Sequence, residues 1–259
     1  MDRTAHELLV RADTPRQRRH LSVHLAASRA EIREAQRLRW RVFAGELGAR
    51  LASRTPGIDE DIFDAYCSHL VVRDDSSGEI IGTYRMLPPE AAERIGCYYA
   101  ETEFDLTRLR GLRGTLVEVG RSCIHPDYRN GAVIALLWSG LARYMLANRH
   151  AYLAGCASLG MADGGHGAAA LYRVLRDKHL APVEFQVQPR RRLPVEADRD
   201  RAAGGVPPLV KGYLRCGAWI CGEPAWDPEF NTADLFMLLP LARISARYAR
   251  HFLGAARAS

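Results

Sequence analysis

The hydrophobic pattern is clearest in the middle of the chain, where it changes from the period of a strand to that of a helix. Residues 115–124 are rich in apolar and β-branched side chains, which favours a buried strand. His125 and Pro126 end this strand, because proline has no N–H for a sheet ladder. From Val133 to Met145 the apolar residues recur on one helical face. The pattern therefore predicts a strand, a short turn and a helix in direct succession.

The flanking sequence predicts further strands and helices. Ser28 and Glu31 have the spacing of a capping box that opens a helix. Residues 67–73 and 79–87 are separated by a polar turn and predict a hairpin. Further strands are predicted at residues 21–25, 152–159 and 183–187, and further helices begin at Gly164 and Pro207. Residues 218–223 and 232–239 are predicted to be strands or the walls of a pocket. This succession predicts an α/β fold with at least one parallel pair of strands.

The two ends of the chain differ from its middle. Residues 1–20 are basic and polar and are predicted to form a mobile arm. Residues 21–259 are predicted to form a single domain, with a C-terminal extension from about residue 190. Near the end, Leu241, Ile244, Tyr248 and Phe252 form an apolar stripe opposite Arg243, Arg247 and Arg250. They predict a basic amphipathic helix, for which packing on the core and contact with anionic membrane lipid both stay open.

Composition narrows the classes of protein. The 259 residues are 47% hydrophobic and contain no apolar run of membrane-spanning length or export signal, so a cytoplasmic protein is expected, with peripheral contact at the inner membrane face left open. A net charge of +6 favours an acidic partner. The six scattered cysteines argue against a zinc site or a disulfide framework, and no metal cluster or nucleotide-hydrolysis loop is recognisable. Neither a metal nor a nucleic-acid partner is expected.

The turn between the central strand and helix has the features of an anion site. Gly131 lets the backbone approach a ligand closely, and the amides of Asn130, Gly131 and Ala132 lie at a helix N-terminus, with Val133 next in the helix. Arg129 adds a positive charge beside them. These five residues are the predicted binding site for a phosphate group.

This turn also carries a resemblance to a known family. The run from Arg129 to Ile134 resembles the pyrophosphate loop of the GNAT acyltransferase superfamily, with one residue fewer between Arg129 and Gly131. Glu118 and Arg121, three residues apart in the preceding strand, resemble a Glu and Arg pair of the acyl-homoserine-lactone synthases and the related ornithine-lipid N-acyltransferases, which implies that both are candidate catalytic residues. The resemblance implies a GNAT-type fold with a mixed central sheet flanked by helices. It also implies a phosphopantetheine-linked acyl donor and no tightly bound cofactor.

Other segments extend the resemblance and suggest an acceptor site. Arg39 with a phenylalanine four residues later, Asp61 with Asp64, and Arg85 before a Met-Leu-Pro run are similar to the lactone-synthase pattern. Asp61 and Asp64 could bind the ammonium groups of an amino acid, while Arg39, Arg85 or Arg121 holds its carboxylate. A solvated acidic turn and local ion pairs are the alternatives. Ala49 stands where the lactone synthases carry tryptophan.

Amine attack on a thioester requires a proton acceptor and a proton donor. Glu118 is the candidate base, directly or through water, because burial on a strand favours protonation of a carboxylate. Its alternative is a salt bridge to Arg121, which regular strand geometry disfavours. His69 and His125 are rival bases, although a lone histidine is more often structural. Tyr172 occupies the place of the GNAT tyrosine that protonates the thiolate, or else belongs to the core.

The resemblance implies a specific N-acyltransfer reaction. A 3-hydroxyacyl group would move from acyl carrier protein, or from acyl-coenzyme A, to the α-amine of ornithine and give lyso-ornithine lipid. A lactone synthase using S-adenosylmethionine is an alternative that the absent tryptophan and the longer C-terminal third disfavour. A non-catalytic protein that binds acyl carrier protein or lipid is the other. No motif in the sequence identifies the amine acceptor or the length of the acyl chain.

Overall fold

The computed structural model describes residues 10–13, 20–195 and 203–244. These residues fall into two compact units. The first contains the described residues up to Pro88 together with Val119–His150, and the second contains Pro89–Glu118 and the described residues from Ala151 onward. The single domain of residues 21–259 with its C-terminal extension stays a prediction.

The described residues contain eleven strands and five α-helices. The strands are β1 (Val10–Asp13), β2 (His20–Leu25), β3 (Ser68–Asp74), β4 (Ile80–Leu87), β5 (Phe104–Asp105), β6 (Leu116–Ile124), β7 (Tyr152–Gly160), β8 (Gln188–Pro189), β9 (Trp219–Ile220), β10 (Ala225–Asp227) and β11 (Thr232–Pro240). The helices are α1 (Arg29–Trp40), α2 (Pro89–Ile95), α3 (Ala132–Ala147), α4 (His166–His179) and α5 (Pro208–Cys216). None of the helices in the described ranges has the length and apolar character that crossing a membrane requires.

The first unit has the strand order β1-β2-β3-β4-β6, and the pairs from β1 to β4 are antiparallel. The predicted hairpin of β3 and β4 is therefore confirmed. Helix α1 begins as predicted, because the Glu31 N–H donates to Ser28 Oγ at 3.2 Å. Helix α3 packs closely on β4 at Gly82, where a Cβ atom would lie 2.5 Å from Val133 Cγ1. A glycine here thus allows the helix that follows the predicted anion loop to approach the sheet.

The second unit has the strand order β6-β7-β11-β10. Residues 116–118 of β6 pair in parallel with residues 152–154 of β7, which confirms the predicted parallel pair. Strands β9 and β10 each pair antiparallel with β11, as β11 does with β7. Phe104 packs against Phe236 with ring centroids 5.7 Å apart. The mixture of parallel and antiparallel strands with helices confirms the predicted α/β class.

Three predicted elements differ from the structure. Residues 183–187 were predicted as a strand, but Val183–Phe185 is a 3-10 helix whose Val183 is exposed and whose Phe185 stacks on Trp219. Residues 10–13 of the predicted mobile arm form β1. Near the other end Leu241–Arg243 is a short 3-10 helix. The rest of the arm before residue 20, and Arg247, Tyr248, Arg250 and Phe252 of the predicted amphipathic helix, lie outside the described residues.

Candidate active site

A buried arginine lies at the centre of the charged groups of the first unit. The Arg39 side chain has no exposed surface, and its Nε donates to Asp59 Oδ2 at 2.8 Å. Its Nη1 and Nη2 donate to the two carboxylate oxygens of Asp64 at 2.7 and 3.0 Å. Burial alone would lower the pKa of Arg39, but the hydrogen bond to Asp64 and the charges of both aspartates raise it. Burial acts to raise the pKa of Asp64, but Arg39 and Arg85 lower it, so both partners are charged at neutral pH.

Two further arginines join this arrangement. Arg85 Nη1 donates to Asp61 Oδ1 at 2.6 Å and to Asp64 Oδ2 at 3.3 Å. Arg121 Nε lies 3.3 Å from Asp59 Oδ2, and its Nη2 lies 3.6 Å from Asp61 Oδ2. We call these six residues, Arg39, Asp59, Asp61, Asp64, Arg85 and Arg121, the ion-pair network. Asp61 and Arg121 have 24% and 13% of their side-chain surface exposed, but the Asp61 Oδ2 atom that faces Arg121 is itself buried.

Local structure explains how the ion-pair network forms. Arg39 lies in the last turn of α1 on the face that also buries Ala35 and Leu38. The loop carrying the aspartates is attached to this helix, because the Asp59 N–H donates to the Gln36 carbonyl at 3.1 Å. The Asp61 N–H donates to Asp64 Oδ2 at 2.9 Å, which fixes the loop around its own carboxylate. The predicted acceptor residues are thus brought together, and Asp59 is a member that sequence analysis missed.

Arg121 has an unusual backbone for a strand residue. Its φ is 50°, in the left-handed region that non-glycine residues rarely occupy. Such a conformation costs about 1–3 kcal/mol and persists where surrounding contacts hold it. It also interrupts the regular alternation of strand faces, which sequence analysis assumed. The direction of the Arg121 side chain therefore follows from this local irregularity and its two aspartate partners.

The rival histidine bases have structural surroundings. His69 Nε2 lies 3.1 Å from the Asp64 carbonyl, and its Nδ1 has no hydrogen-bond partner among the described residues. Burial lowers the pKa of His69, so the ring is neutral at neutral pH. His125 Nδ1 accepts the Asp127 N–H at 3.3 Å and caps the short 3-10 helix after β6.

Glu118 lies in the second unit, where two backbone amides bind it. Its Oε2 accepts the Tyr99 N–H at 2.6 Å and its Oε1 accepts the Ala100 N–H at 2.7 Å. These amides begin the 3-10 helix Tyr99–Thr102, whose free N–H groups require acceptors. Glu118 therefore stabilises this turn, a role that sequence analysis missed because the partners are 18 and 19 residues away. Its role as a base stays a prediction.

Tyr172 lies on α4 in the second unit and is half-buried. Burial raises the pKa of its phenol, although nearby Arg176 opposes the shift. The Arg176 guanidinium lies 5.9 Å from the centroid of the ring. The phenol is thus protonated at neutral pH and is able to donate a proton.

The predicted anion loop is present in the first unit. Gly131 has a φ of 94°, which glycine adopts without strain, and helix α3 follows it directly. The Ala132 N–H donates to Asn130 Oδ1 at 3.1 Å. Arg129 donates from Nε to the Ile124 carbonyl at 3.1 Å, and both of its Nη atoms contact Glu46. The loop residues are thus together, but the contact with Glu46 was not predicted.

The second unit also contains a carboxylate cluster, Glu103, Asp227 and Asp234, whose oxygens lie within 4.8 Å of one another. Burial raises the pKa of Asp234 to about 6, and the charge of Asp227 adds to the shift. Burial and the other two carboxylates raise the pKa of Glu103 well above its usual range. Sequence analysis found no metal cluster, whereas these oxygens are close enough to share a cation. The grouping was missed because Glu103 is far from the two aspartates in the sequence.

The buried and exposed arginines of α1 provide a matched test of the ion-pair network. We expect Arg39→Leu to lower the free energy of unfolding by about 3–5 kcal/mol, because it removes the cation that both buried aspartates contact most closely. Arg33→Leu, on the same helix, removes a partly exposed pair with Glu60 and should cost less than about 1 kcal/mol. Urea unfolding of both variants measures the difference. Arg39→Lys, which keeps the charge but loses the fork, should lie between them, and equal losses for Arg39→Leu and Arg33→Leu would contradict the central role of Arg39.

The carboxylate cluster predicts a pH dependence of stability. Because the pKa of Asp234 is raised above its ordinary value of 3.8 to about 6, the folded protein binds a proton that the unfolded chain has lost in this range. Stability contributed by this group is therefore lost as the pH rises from about 4 to about 6. In urea unfolding, the free energy of unfolding of Asp234→Asn relative to that of the wild type should rise by up to about 3 kcal/mol across that interval. The exposed Asp177→Asn on α4 is the control. If the stability of both variants relative to the wild type is independent of pH, the pKa of Asp234 is not raised.

Comparison with known proteins identifies a family model and two relatives. A family model described as an acetyltransferase (GNAT) domain matches residues 38–139. The L-ornithine N(alpha)-acyltransferase of Brucella abortus (strain 2308) is 38% identical over 248 residues, which cover 90% of this chain and 88% of the relative. The protein of the same name from Rhodobacter capsulatus is 37% identical over 247 residues, covering 89% and 93%.

A solved structure supports the fold. The AHL synthase LasI matches with a TM-score of 0.54 and 15% sequence identity over 91% of this chain and 96% of that one. With the family model, this likeness confirms the predicted GNAT-type fold. The identities to the curated relatives extend over most of both sequences. The chain is therefore an acyltransferase and belongs to the family of L-ornithine N(alpha)-acyltransferases.

Proposed function

We propose that the protein transfers a 3-hydroxyacyl group from acyl carrier protein to the α-amine of ornithine and so makes lyso-ornithine lipid. The observation that carries the proposal is the 38% identity, over 90% of this chain, to an enzyme named L-ornithine N(alpha)-acyltransferase. The ion-pair network and the anion loop supply groups of the right charge for a zwitterionic acceptor and a phosphate-containing donor. Lactone synthesis and a non-catalytic role are outcomes that the assay below distinguishes.

The acceptor would bind at the accessible edge of the ion-pair network. The 3.6 Å contact between Asp61 Oδ2 and Arg121 Nη2 is longer than the buried contacts of Arg39. Once the Asp61 side chain moved to expose its buried Oδ2, an amino acid could replace this contact, with an ammonium group on Asp61 and its α-carboxylate on Arg121. In this arrangement the ion pairs of Arg39, Asp64 and Arg85 keep Asp61 and Arg121 in position. Of the five predicted acceptor residues, Asp61 and Arg121 would thus touch the substrate, and the other three would position them.

The donor would use the anion loop and an exposed basic surface. Arg129, Gly131 and the first amides of α3 would bind the phosphate of phosphopantetheine. Arg191 lies over the Trp226 ring at 5.6 Å, and Arg192, with 71% of its side chain exposed, lies 3.6 Å from Glu223. We call Arg191 and Arg192 the basic pair. Both are exposed and offer positive charge to an acidic carrier protein.

The proposed chemistry is a single acyl transfer. The amine nitrogen bonds to the thioester carbonyl carbon, and the carbon–sulfur bond breaks. Glu118 accepts the proton from the amine, directly or through water, and Tyr172 donates a proton to the departing thiolate. His69 is the rival base. The Tyr172 phenol is protonated at neutral pH, as the donor role requires, although burial raises its pKa and makes it a weaker acid.

We expect purified protein to use acyl carrier protein in preference to acyl-coenzyme A, and this preference should shrink as the salt concentration rises. Attraction between exposed charges is screened over about 10 Å at 0.1 M ionic strength. The measurement is the initial rate of thiol release with both donors at low and high salt. Mass spectrometry of the product from ornithine, lysine, glutamine, glycine and S-adenosylmethionine identifies the acceptor.

The control for this assay is a pair of arginines elsewhere on the surface. Neutralising the basic pair in Arg191→Gln/Arg192→Gln should slow the carrier-dependent rate several-fold. This is the effect expected if each arginine loses one exposed charge contact with the carrier. Neutralising the exposed Arg50 and Arg54 removes the same charge and should have a smaller effect. Equal use of both donors would remove the carrier preference. A product only from S-adenosylmethionine, or none at all, would favour lactone synthesis or a binding role.

The role of Glu118 is tested against a neighbour in the same turn. Glu118→Gln should lower kcat by about 10²–10⁴-fold and shift the pH range in which the rate falls, because it removes the proton acceptor and leaves the substrate amine to titrate. Glu101→Gln is the control, since Glu101 also accepts a backbone N–H of this turn, from Tyr98 at 2.7 Å. It should lower thermal stability and keep the low-pH fall. If the rate of Glu118→Gln falls over the same pH range as that of the wild type, the base is another group, with His69 the next candidate.

A further inference from the structure

Arg129, the cation of the anion loop, is paired with a carboxylate from a distant part of the chain. Its Nη1 and Nη2 lie 2.5 and 2.7 Å from the two carboxylate oxygens of Glu46, which is 83 residues away. Its Nε is bound to the Ile124 carbonyl, so the guanidinium is fixed at the end of β6. The pair lowers the pKa of Glu46 and raises that of Arg129. Both groups are charged at neutral pH, and Glu46 holds the guanidinium that the donor phosphate requires.

The position of Glu46 depends on an uncommon helical segment. Helix α1 continues into the π-helix Arg41–Glu46, in which the Leu47 N–H donates to the Val42 carbonyl at 3.0 Å, five residues back. A π-turn contains more residues than an α-turn, so it changes the direction in which the following side chains point. Such segments are rare and occur frequently at functional sites. The wider turn thus determines where Glu46 lies relative to Arg129.

The pair is accessible to a competing anion. The side chains of Arg129 and Glu46 are 41% and 37% exposed, and exposed ion pairs are weak. A phosphate group can therefore displace the carboxylate from the guanidinium. Because the backbone anchors Glu46 nearby, its negative charge remains within the screening length of about 10 Å and repels any further negative charge on the ligand.

We infer that Glu46 is a specificity residue that disfavours coenzyme A as the acyl donor relative to carrier-linked phosphopantetheine. This inference rests on the proposed use of the anion loop for the donor phosphate. The carrier-linked arm has a single phosphodiester, whereas coenzyme A has a diphosphate and a ribose 3′-phosphate. The repulsion by Glu46 is therefore larger for coenzyme A.

The test compares Glu46→Gln with Glu79→Gln. Glu79 is exposed before β4, so its substitution removes the same charge away from the loop. Glu46→Gln should tighten coenzyme A binding in calorimetry, and lower KM for acyl-coenzyme A, by about five-fold, the effect of one exposed charge contact. KM for acyl carrier protein should change by less than about two-fold, since only one phosphate charge of this donor would lie at the anion loop. Glu79→Gln should leave both donors unchanged.

Arg129→Gln separates failure of this inference from failure of the proposed donor site. If Arg129→Gln weakens the binding of both donors and Glu46→Gln tightens only coenzyme A, the inference holds. If Arg129→Gln weakens both donors while Glu46→Gln weakens coenzyme A or leaves it unchanged, Glu46 only holds Arg129 in place and the inference is wrong. If neither variant changes donor binding, the loop is not the donor site, and both the inference and this part of the proposed function fail.

Discussion

A fully buried guanidinium is the constraint on which the first unit depends. The charge of Arg39 is stable away from water because Asp59 and Asp64 compensate it, and removal of either aspartate would leave the buried charges unbalanced. The pairing joins α1 to a loop 20 and 25 residues further along the chain. That loop presents Asp61 to Arg85 and Arg121. The accessible edge of the ion-pair network is therefore positioned by contacts that solvent does not reach.

The parts of the fold that the sequence predicts are those with strong local signals. The capping box of α1, the hairpin of β3 and β4, and the succession of β6 and α3 depend on residues within a few positions of one another. Residues 183–187 have the composition of a strand, yet a strand also requires a partner and a buried face, and Val183 is exposed. The short strand β10 was missed for a related reason. It has three residues and is recognised mainly by its pairing with β11, which the sequence does not show.

The same distinction applies to the site. The family resemblance grouped Arg39, Asp61, Asp64, Arg85 and Arg121, and the structure brings them together in one ion-pair network. The family resemblance gave no sign of the Glu46 contact or of the carboxylate cluster, because those contacts join distant segments and follow no fixed spacing. The backbone amides that bind Glu118 are equally invisible to a side-chain motif. Residue identity was therefore more predictable than the electrostatic surroundings that determine what each residue does.

Those surroundings also locate the excess positive charge. The chain has a formal net charge of +6, but three arginines and three aspartates cancel within the ion-pair network, and Glu46 cancels Arg129 at the anion loop. The excess therefore comes from residues outside these groups, including exposed ones such as Arg191 and Arg192. Charges of this kind change the rate at which an acidic partner is captured more than the energy of the reacting groups. In the proposed function, attraction of the donor and the chemistry of transfer would be controlled by separate sets of charges, so salt would affect the first and leave the second nearly unchanged.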